Sequence, residues 1–295
     1  MENPMADLNA FRAYLVGRDR ASATIEKYLR DLRYFLHFQG KRPLAGQRLM
    51  EYKAHLSCVF APASANSMIA SLNCYLRFLG KGDLCLHPFR IQRRVYIPSD
   101  KELTLDEYKR LLSAAHAQGN RRLQLILQTI CATGIRVSEL QFITLEALER
   151  GEAIVHCKGK SRPVFLIRDL CRMLAAYARE CNIRTGPIFL SRRGRPINRV
   201  EIWRQMKGLC RQAGIAPGKV FPHNLRHLFA RVFYAMDKDI GKLADILGHA
   251  SINTTRIYIA STGAEHRRSM EALGLIGLNG KQKKIAGIPR RSYVT

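Results

Sequence analysis

The chain has 295 residues, of which 47% are hydrophobic, so it is long enough for about two domains with their own cores and is not a disordered polymer. Its 49 lysines and arginines outnumber 23 acidic residues, and the formal charge of +26 indicates a polyanionic partner, most simply nucleic acid. An uninterrupted apolar run of about 20 residues and a signal peptide are both missing, which argues against a membrane protein and favours the cytoplasm. The eight cysteines form no Cys-x-x-Cys pair, so neither a zinc site nor a disulfide framework is indicated.

The first part of the chain predicts a small helical domain. Ile25, Leu29 and Leu32 recur with the helical period, and similar apolar stripes follow further along. The expected helices cover residues 22–38, 44–60 and 64–79. We therefore expect a small all-helical domain over residues 1–82.

Residues 83–100 lose this pattern and carry several cations, among them Arg93 and Arg94. We interpret them as a basic linker between two basic domains, which could cross a phosphate backbone while the domains close around it. The alternative is a solvated strap without a ligand.

The second part of the chain predicts a larger, mainly helical domain over residues 101–278, followed by a basic tail at 279–295. Thr104 with Glu107 three residues later is typical of a capped helix start. Two β-prone runs within residues 152–167 flank a Gly-containing turn and predict a hairpin. Further helices are expected at residues 121–132, 169–181, 198–213 and 264–273. The fold class is therefore mainly α with a small antiparallel hairpin.

The hairpin turn holds Lys158, Lys160 and Arg162, which could reach a DNA groove or deliver a proton. Gly159-Lys160-Ser161 does not complete a nucleotide-binding P-loop, because Ile154 stands where that motif needs glycine. ATP binding is therefore not expected.

A second basic loop contains Arg192, Arg193 and Arg195. It is interpreted either as a contact to the DNA backbone or as an ordinary solvated loop.

His223 and Arg226 lie three residues apart, which places both side chains on one face of a helix. A guanidinium binds the non-bridging oxygens of a phosphodiester through paired hydrogen bonds. Arg136 follows Gly134 at an expected helix boundary, where free backbone N–H groups also suit a phosphate. His223 and His227 have a spacing that zinc ligands can have, but no third ligand accompanies them.

His249 and Tyr258 are nine residues apart and would point to opposite sides of one unbroken helix. Gly248 can end one helix and Ser251 can cap the next, so the sequence predicts the break that lets them meet. A phenol becomes a nucleophile when a neighbouring histidine takes its proton. These residue types favour covalent phosphoryl transfer through a tyrosine.

Six positions, distant along the chain, carry a resemblance to a known family. They are Arg136 in Thr-Gly-Ile-Arg-Val-Ser-Glu-Leu, Lys158 in the hairpin, His223-x-x-Arg226, His249 after Leu-Gly, and Tyr258. Together they resemble the tyrosine recombinase, or phage integrase, family and its Xer-like members. The likeness covers nearly the whole chain, because the first domain resembles that family's core-binding domain.

The resemblance implies that Tyr258 attacks the scissile phosphate, giving a 3′-phosphotyrosine link and a free 5′-hydroxyl, with His223 as its base. Arg136 and Arg226 would hold the non-bridging oxygens, and His249 would donate a further hydrogen bond to the phosphate. The phosphoester energy stays in the protein link, so neither ATP nor a metal is expected.

Lys158 is implied as the general acid that protonates the leaving 5′-oxygen. The hairpin turn is about a residue shorter than in the family, so Lys160 is the alternative. Glu139 would brace the site from behind.

The expected function is site-specific recombination by a homo-tetramer on two synapsed duplexes, with a monomer or weak oligomer when free. The segment after Tyr258 would dock onto a neighbouring protomer, as the resemblance implies, or pack within its own chain through apolar residues such as Met270 and Leu273. Two alternatives remain: a type IB topoisomerase-like relaxing enzyme, and a catalytically silent DNA-binding protein on the same scaffold.

Overall fold

The computed structural model describes residues 4–91, 101–157, 160–258 and 271. By its contacts the chain divides into two compact units, Met1–Arg93 and Arg94–Thr295. The described residues of the first unit form helices, and those of the second form helices and one two-stranded antiparallel hairpin. The predicted fold class, mainly α with a small hairpin, is confirmed.

The first unit is a bundle of helices around an aromatic and aliphatic core. Its helices are α1 (Pro4–Val16), α2 (Ser22–Gln39), α3 (Gly46–Val59) and α4 (Pro62–Phe78). The last three match the expected helices to within two residues at each end, whereas α1 was not predicted. Leu8, Phe11 and Leu15 of α1 are buried at helical spacing, which is the signal that would have revealed it.

The structure differs from the expected linker at its start. Leu86 belongs to the core of the first unit, and Phe89 packs against that core. Two side-chain amides of α4 hold this stretch: Asn73 pairs with the backbone of Leu86 in both directions at 2.8 Å, and Asn66 does the same for Phe89 at 2.7 and 2.9 Å. Residues 83–91 therefore extend the first unit.

The second unit is built from eight helices and the hairpin in its described part. These elements are α5 (Leu105–Ala117), α6 (Arg121–Thr133), α7 (Leu145–Arg150), β1 (Glu152–Cys157), β2 (Lys160–Phe165), α8 (Arg168–Glu180), α9 (Arg199–Ala213), α10 (Pro222–Asp237), α11 (Ile240–Leu247) and α12 (Ile252–Tyr258). Helix α6 lies at the centre, since it packs against α5, α8, α9 and α10. The predicted capping box at Thr104 and Glu107 is present, with bonds of 3.1 and 2.8 Å.

The hairpin is paired in register from Glu152 with Phe165 to Cys157 with Lys160, which leaves a two-residue turn at 158–159. Ala153, Val155 and Val164 face the core and are buried, as the period of two in a strand requires. Lys158 lies outside the described residues.

Helices α10, α11 and α12 bring the C-terminal motifs to the centre of the unit. Pro222 stands at the first position of α10, where its fixed φ suits a helix start. Leu225 and Leu228 are buried on the face that packs against α6. This packing fixes the position of Arg226 and His227 relative to the end of α6.

No described helix is long and apolar enough to cross a membrane. The described part contains no group of three or more His, Cys, Asp or Glu side chains placed to hold a metal ion. The seven described cysteines are all free thiols. The predicted helix at 264–273, apart from residue 271, and the basic tail lie outside the described residues.

Candidate active site

Tyr258 is the last residue of α12, and its side chain is turned inward, with 6% of the residue exposed. The predicted break makes this possible: α11 ends at Gly248 in the left-handed conformation (φ 65°), and the Ser251 hydroxyl accepts a bond from the N–H of Asn253 at 3.3 Å. The Tyr258 hydroxyl consequently lies 2.8 Å from Nε2 of His223. This is the distance of a hydrogen bond through which a proton can move.

The phenol ring of Tyr258 is surrounded by three imidazoles and a guanidinium. His227 stacks on it with ring centroids 4.0 Å apart and an interplanar angle of 16°. His249 lies 4.9 Å away at 47°, and His223 lies 5.4 Å away at 63°. The Cζ of Arg226 is 5.9 Å from the phenol centroid.

Arg226 is completely buried at 0% exposure. Its Nη1 donates to the carbonyl of Gly134 at 2.6 Å, and its Nη2 donates to the carbonyl of Leu247 at 2.7 Å. Burial, with the charge of Arg136 as the next cause, lowers the pKa of Arg226 to about 10, so it remains a cation at neutral pH. The Nε–H of this guanidinium is buried and has no acceptor among the described residues.

The neighbours of His249 define its tautomer. Nη2 of Arg226 lies 3.0 Å from Nε2 of His249, and a guanidinium can only donate, so this nitrogen accepts. Nδ1 then carries the proton and donates to the hydroxyl of Thr255 at 2.9 Å. His249 is therefore a neutral acceptor in this structure, whereas the expected bond from His249 to a phosphate requires the other tautomer.

The neutral state of the imidazoles is favoured by their surroundings. Burial, with added repulsion from nearby charged groups, lowers the pKa of His227 and of His249 to about 4. The pKa of His223 is lowered as well, by desolvation of its inner side and by the charges of Arg226 and Arg136, although part of its ring is exposed. His223 is thus available as an acceptor at neutral pH.

Arg136 is held by a buried carboxylate. Its backbone N–H donates to Oε2 of Glu139 and its Nη1 donates to Oε1, both at 2.9 Å. Nη2 of Arg162 also donates to Oε2, at 2.7 Å. Glu139 is 2% exposed, and its carboxylate joins Arg136 to Arg162. Arg136 keeps about a third of its side chain exposed and can still reach a ligand.

Arg162 lies inside the site instead of on its surface, with 14% of its side chain exposed. Besides Glu139, its Nη1 bonds to the carbonyl of Ile246 at 3.1 Å. A Cβ added to Gly248 would lie only 2.2 Å from Cδ of Arg162. Position 248 therefore needs glycine for space as well as for its positive φ. Strand β2 is thereby tied to the turn between α11 and α12.

A cavity of about 580 Å³ opens beside these side chains. Its polar end includes Arg136, Arg226 and His223, and its apolar wall includes Val200 and Trp203, the latter 48% exposed. His223 thus lines the cavity and also bonds to the hydroxyl of Tyr258. The remaining lining residues are Ile135, Val137, Ser138, Arg199, Phe221 and Pro222.

The structure brings together five of the six predicted catalytic positions. Arg136, His223, Arg226, His249 and Tyr258 converge, and Lys158 lies outside the described residues.

Of the expected DNA-binding residues, Arg93 and Arg94 also lie outside the described residues, and the side chain of Lys160 is not described. Arg192, Arg193 and Arg195 are exposed on a turn closed by a 2.7 Å bond from the N–H of Ser191 to the carbonyl of Arg195. Their contact with DNA remains a prediction.

Three site residues were not identified from the sequence. His227 was considered as a zinc ligand, whereas its ring stacks on Tyr258. Thr255 and Trp203 were not singled out. The position of Thr255 three residues before Tyr258 is the signal for a shared helix face; Trp203 had no local signal.

Relatives of this chain support the interpretation. It is 28% identical over 286 residues to "Tyrosine recombinase XerA" of Thermococcus kodakarensis, covering 94% of this chain and 98% of the relative. It is also 28% identical over 269 residues to "Tyrosine recombinase XerD" of Listeria monocytogenes, covering 83% and 90%.

Solved structures show the same fold. A crystal structure of XerA recombinase matches with a TM-score of 0.52 at 26% identity, over 93% of this chain and all of the other. A lambda integrase dimer bound to a COC′ core site matches with a TM-score of 0.70 at 17% identity, over 88% and 96%. The sequence model of the Phage integrase family matches residues 101–265. Since that match spans more than half of the residues, the chain belongs to the phage integrase family.

Proposed function

We propose that this chain is a site-specific DNA recombinase that cuts and rejoins duplex DNA through Tyr258. The observation that carries the proposal is the 2.8 Å bond between the Tyr258 hydroxyl and Nε2 of His223, in a site that also holds Arg136 and Arg226. A nucleophile, an acceptor for its proton and two cations for a phosphate are the groups that this reaction requires.

The first step transfers a phosphodiester from DNA to the protein. The Tyr258 oxygen bonds to phosphorus while its proton passes to Nε2 of His223, and the bond to the 5′-oxygen breaks. Arg136 and Arg226 offset the charge that develops on the non-bridging oxygens. The leaving oxygen takes a proton from Lys158, or from Lys160 if the turn presents that side chain instead.

The second step reverses the first with a different strand. A 5′-hydroxyl attacks the phosphotyrosine and gives its proton back to the lysine that acted as the acid, while the bond to Tyr258 breaks and the tyrosine recovers its proton from His223. The number of phosphoester bonds is unchanged, so no external energy source is needed.

His249 would change its partners when the phosphate arrives. It now accepts a bond from Arg226 at 3.0 Å, and a phosphate oxygen that takes over this N–H would free Nε2. With the proton moved to Nε2, His249 could then donate to the phosphate as the family resemblance implies.

The proposed partners are duplex DNA and further copies of this chain. The charge of +26 suits a phosphate backbone. Among the structural relatives are XerH bound to its difH substrate and a lambda integrase tetramer bound to a Holliday junction. We extend both features to this chain, as a homo-tetramer on two synapsed duplexes in the cytoplasm.

The proposal is tested by trapping the covalent complex. A duplex is first selected from a random-sequence library by its affinity for the chain, then nicked near its centre so that the released 5′-end diffuses away. When the label is on the 5′-end of the cleaved strand, wild-type protein should give a labelled adduct that resists denaturation. When the label is on the 3′-end of that strand, it should leave with the released fragment. Tyr258→Phe should bind the duplex with unchanged affinity and give no adduct.

Other outcomes separate the alternatives. Adduct formation by Tyr258→Phe would mean that another residue is the nucleophile. Binding without an adduct in the wild type would identify a silent DNA-binding protein. Relaxation of supercoiled plasmid without strand exchange between two labelled sites would indicate a topoisomerase-like enzyme.

A further inference from the structure

We propose that His227 is a positioning residue, whose imidazole supports one face of the Tyr258 ring and so keeps the phenol oxygen directed at its base. The proposal rests on the proposed function and concerns a side chain outside the six motif positions. Its basis is the nearly parallel stack of the two rings, with centroids 4.0 Å apart and planes inclined by 16°.

The stack is the closest ring pair that the described residues contain. The next pairs, His249 with Tyr258 and Phe35 with Tyr52, are both 4.9 Å apart and inclined by 47° and 70°. Most other aromatic contacts are edge-on or tilted, the arrangement that packing between aromatic rings commonly gives. A face-to-face contact at 4.0 Å blocks the swing of the phenol about its Cα–Cβ bond toward the imidazole, and that swing would carry the hydroxyl oxygen away from its acceptor.

The hydrogen bond to His223 alone cannot fix the phenol. It restrains one atom, the hydroxyl oxygen, and leaves the ring free to swing about that point. His227 lies one helical turn beyond His223 on α10, and the two imidazoles contact each other edge-on at 5.1 Å. One rigid helix therefore supplies the acceptor for the oxygen and the surface for the ring, so their mutual geometry is constant.

The alternative role, in which His227 exchanges protons with Tyr258, does not fit the contact. The imidazole meets the face of the phenol, whereas the hydroxyl is bonded to Nε2 of His223. The charged or titratable side chains that act on His227 are His223, Arg231, Arg226 and His249, and none is an anion that would favour a charged imidazole. His227 consequently acts as a flat, neutral surface.

Simple filling of space is the remaining alternative, and a pair of variants separates it from a stack. His227→Phe keeps a flat ring and removes both nitrogens. His227→Leu keeps the bulk of the side chain and removes the flat ring. Adduct formation is followed in single-turnover experiments on the nicked duplex, with DNA affinity and melting temperature measured for each protein.

We expect His227→Leu to form the adduct roughly tenfold more slowly than wild type with unchanged DNA affinity, since a ring stack of this kind is worth about one order of magnitude. We expect His227→Phe to react within about threefold of wild type and to keep the wild-type dependence on pH between 5 and 8. If His227→Leu does not fold, His227→Met takes its place, since it is a flexible apolar side chain without a ring.

Equal rates for wild type and the leucine or methionine variant would overturn the proposal, and so would a phenylalanine variant as slow as leucine or with a shifted acid limb. Failure of this inference is distinguishable from failure of the proposed function. In the first case wild type forms the Tyr258 adduct and the variants do not follow the predicted order. In the second case wild type forms no adduct at all.

Discussion

Gly134 connects the end of α6 to the site, and replacing it by alanine tests that connection. Its φ is +64°, and a Cβ there would lie 2.5 Å from Cδ1 of Phe229 and 2.9 Å from Cδ2 of Leu247. The left-handed conformation costs an L-residue about 1 kcal/mol, and forced overpacking adds about 1–3 kcal/mol. Gly134→Ala should therefore lower the free energy of unfolding by about 2–4 kcal/mol.

Gly151→Ala is the matched control. Gly151 also ends a helix in the left-handed conformation, at φ +73°, but nothing lies within 4 Å of its would-be Cβ. It should lose only the backbone part, about 1 kcal/mol. Since 1 kcal/mol corresponds to about 2–4 °C in a domain of this size, the melting temperatures of the two variants should differ by about 4–8 °C if crowding costs about 2 kcal/mol.

The two variants should also differ in activity. The carbonyl of Gly134 accepts a 2.6 Å bond from Nη1 of Arg226, so a shift of this turn moves the phosphate-binding guanidinium. Adduct formation on the nicked duplex should fall for Gly134→Ala and remain at the wild-type level for Gly151→Ala. Equal melting temperatures, or equal adduct yields, would refute the argument that crowding at Gly134 matters.

Three further predictions concern charge, pH and DNA entry. Because the pKa values of His227 and His249 are held at about 4, below the roughly 6.5 of an unfolded histidine, the folded chain binds fewer protons than the unfolded chain between these values. The stabilisation by these two histidines is therefore fully present above about pH 6.5 and falls as the pH drops toward 4. Urea titrations should show this fall in the free energy of unfolding, and a smaller fall in His249→Phe. A wild-type free energy that does not change with pH would contradict this. Glu139→Gln leaves Arg136 and Arg162 without their shared anion and should lower the free energy of unfolding by about 2–4 kcal/mol. The control is Glu149→Gln, at an exposed position on α7, which should change this free energy by less than about 0.5 kcal/mol. Equal losses would disprove a special role for Glu139. Trp203 is the single tryptophan and lies on the cavity wall, so its fluorescence should change when duplex DNA is added, and an unchanged spectrum at saturating DNA would place the DNA elsewhere.

The approach of Tyr258 to His249 could be predicted from sequence because it depends on local rules. A separation of nine positions from His249 to Tyr258 requires a break in the helix. Gly248 can end the first helix and Ser251 can begin the second. Helix starts such as Thr104, which depend on a side chain three residues away, could be located for the same reason.

Contacts between distant segments could not be predicted. Arg162 reaches Glu139 from a strand 23 residues away, and the basic turn gave it the pattern of a surface cation. Leu86 is held to the first unit by the side chain of Asn73, an amide whose partner no local pattern reveals. The spacing of His223 and His227 fits a metal pair, a core pair or a stack, and only the position of Tyr258 decides among them.

The site gathers like charges before any substrate is present. Arg136, Arg162 and Arg226 face a single carboxylate, Glu139, and the mutual repulsion of the guanidinium groups is part of what lowers the pKa of Arg226. A bound phosphodiester would relieve this repulsion, so DNA should stabilise the catalytic unit beyond the contacts that it makes. Variants that neutralise one of these cations should therefore gain less melting temperature from added DNA than the wild type gains.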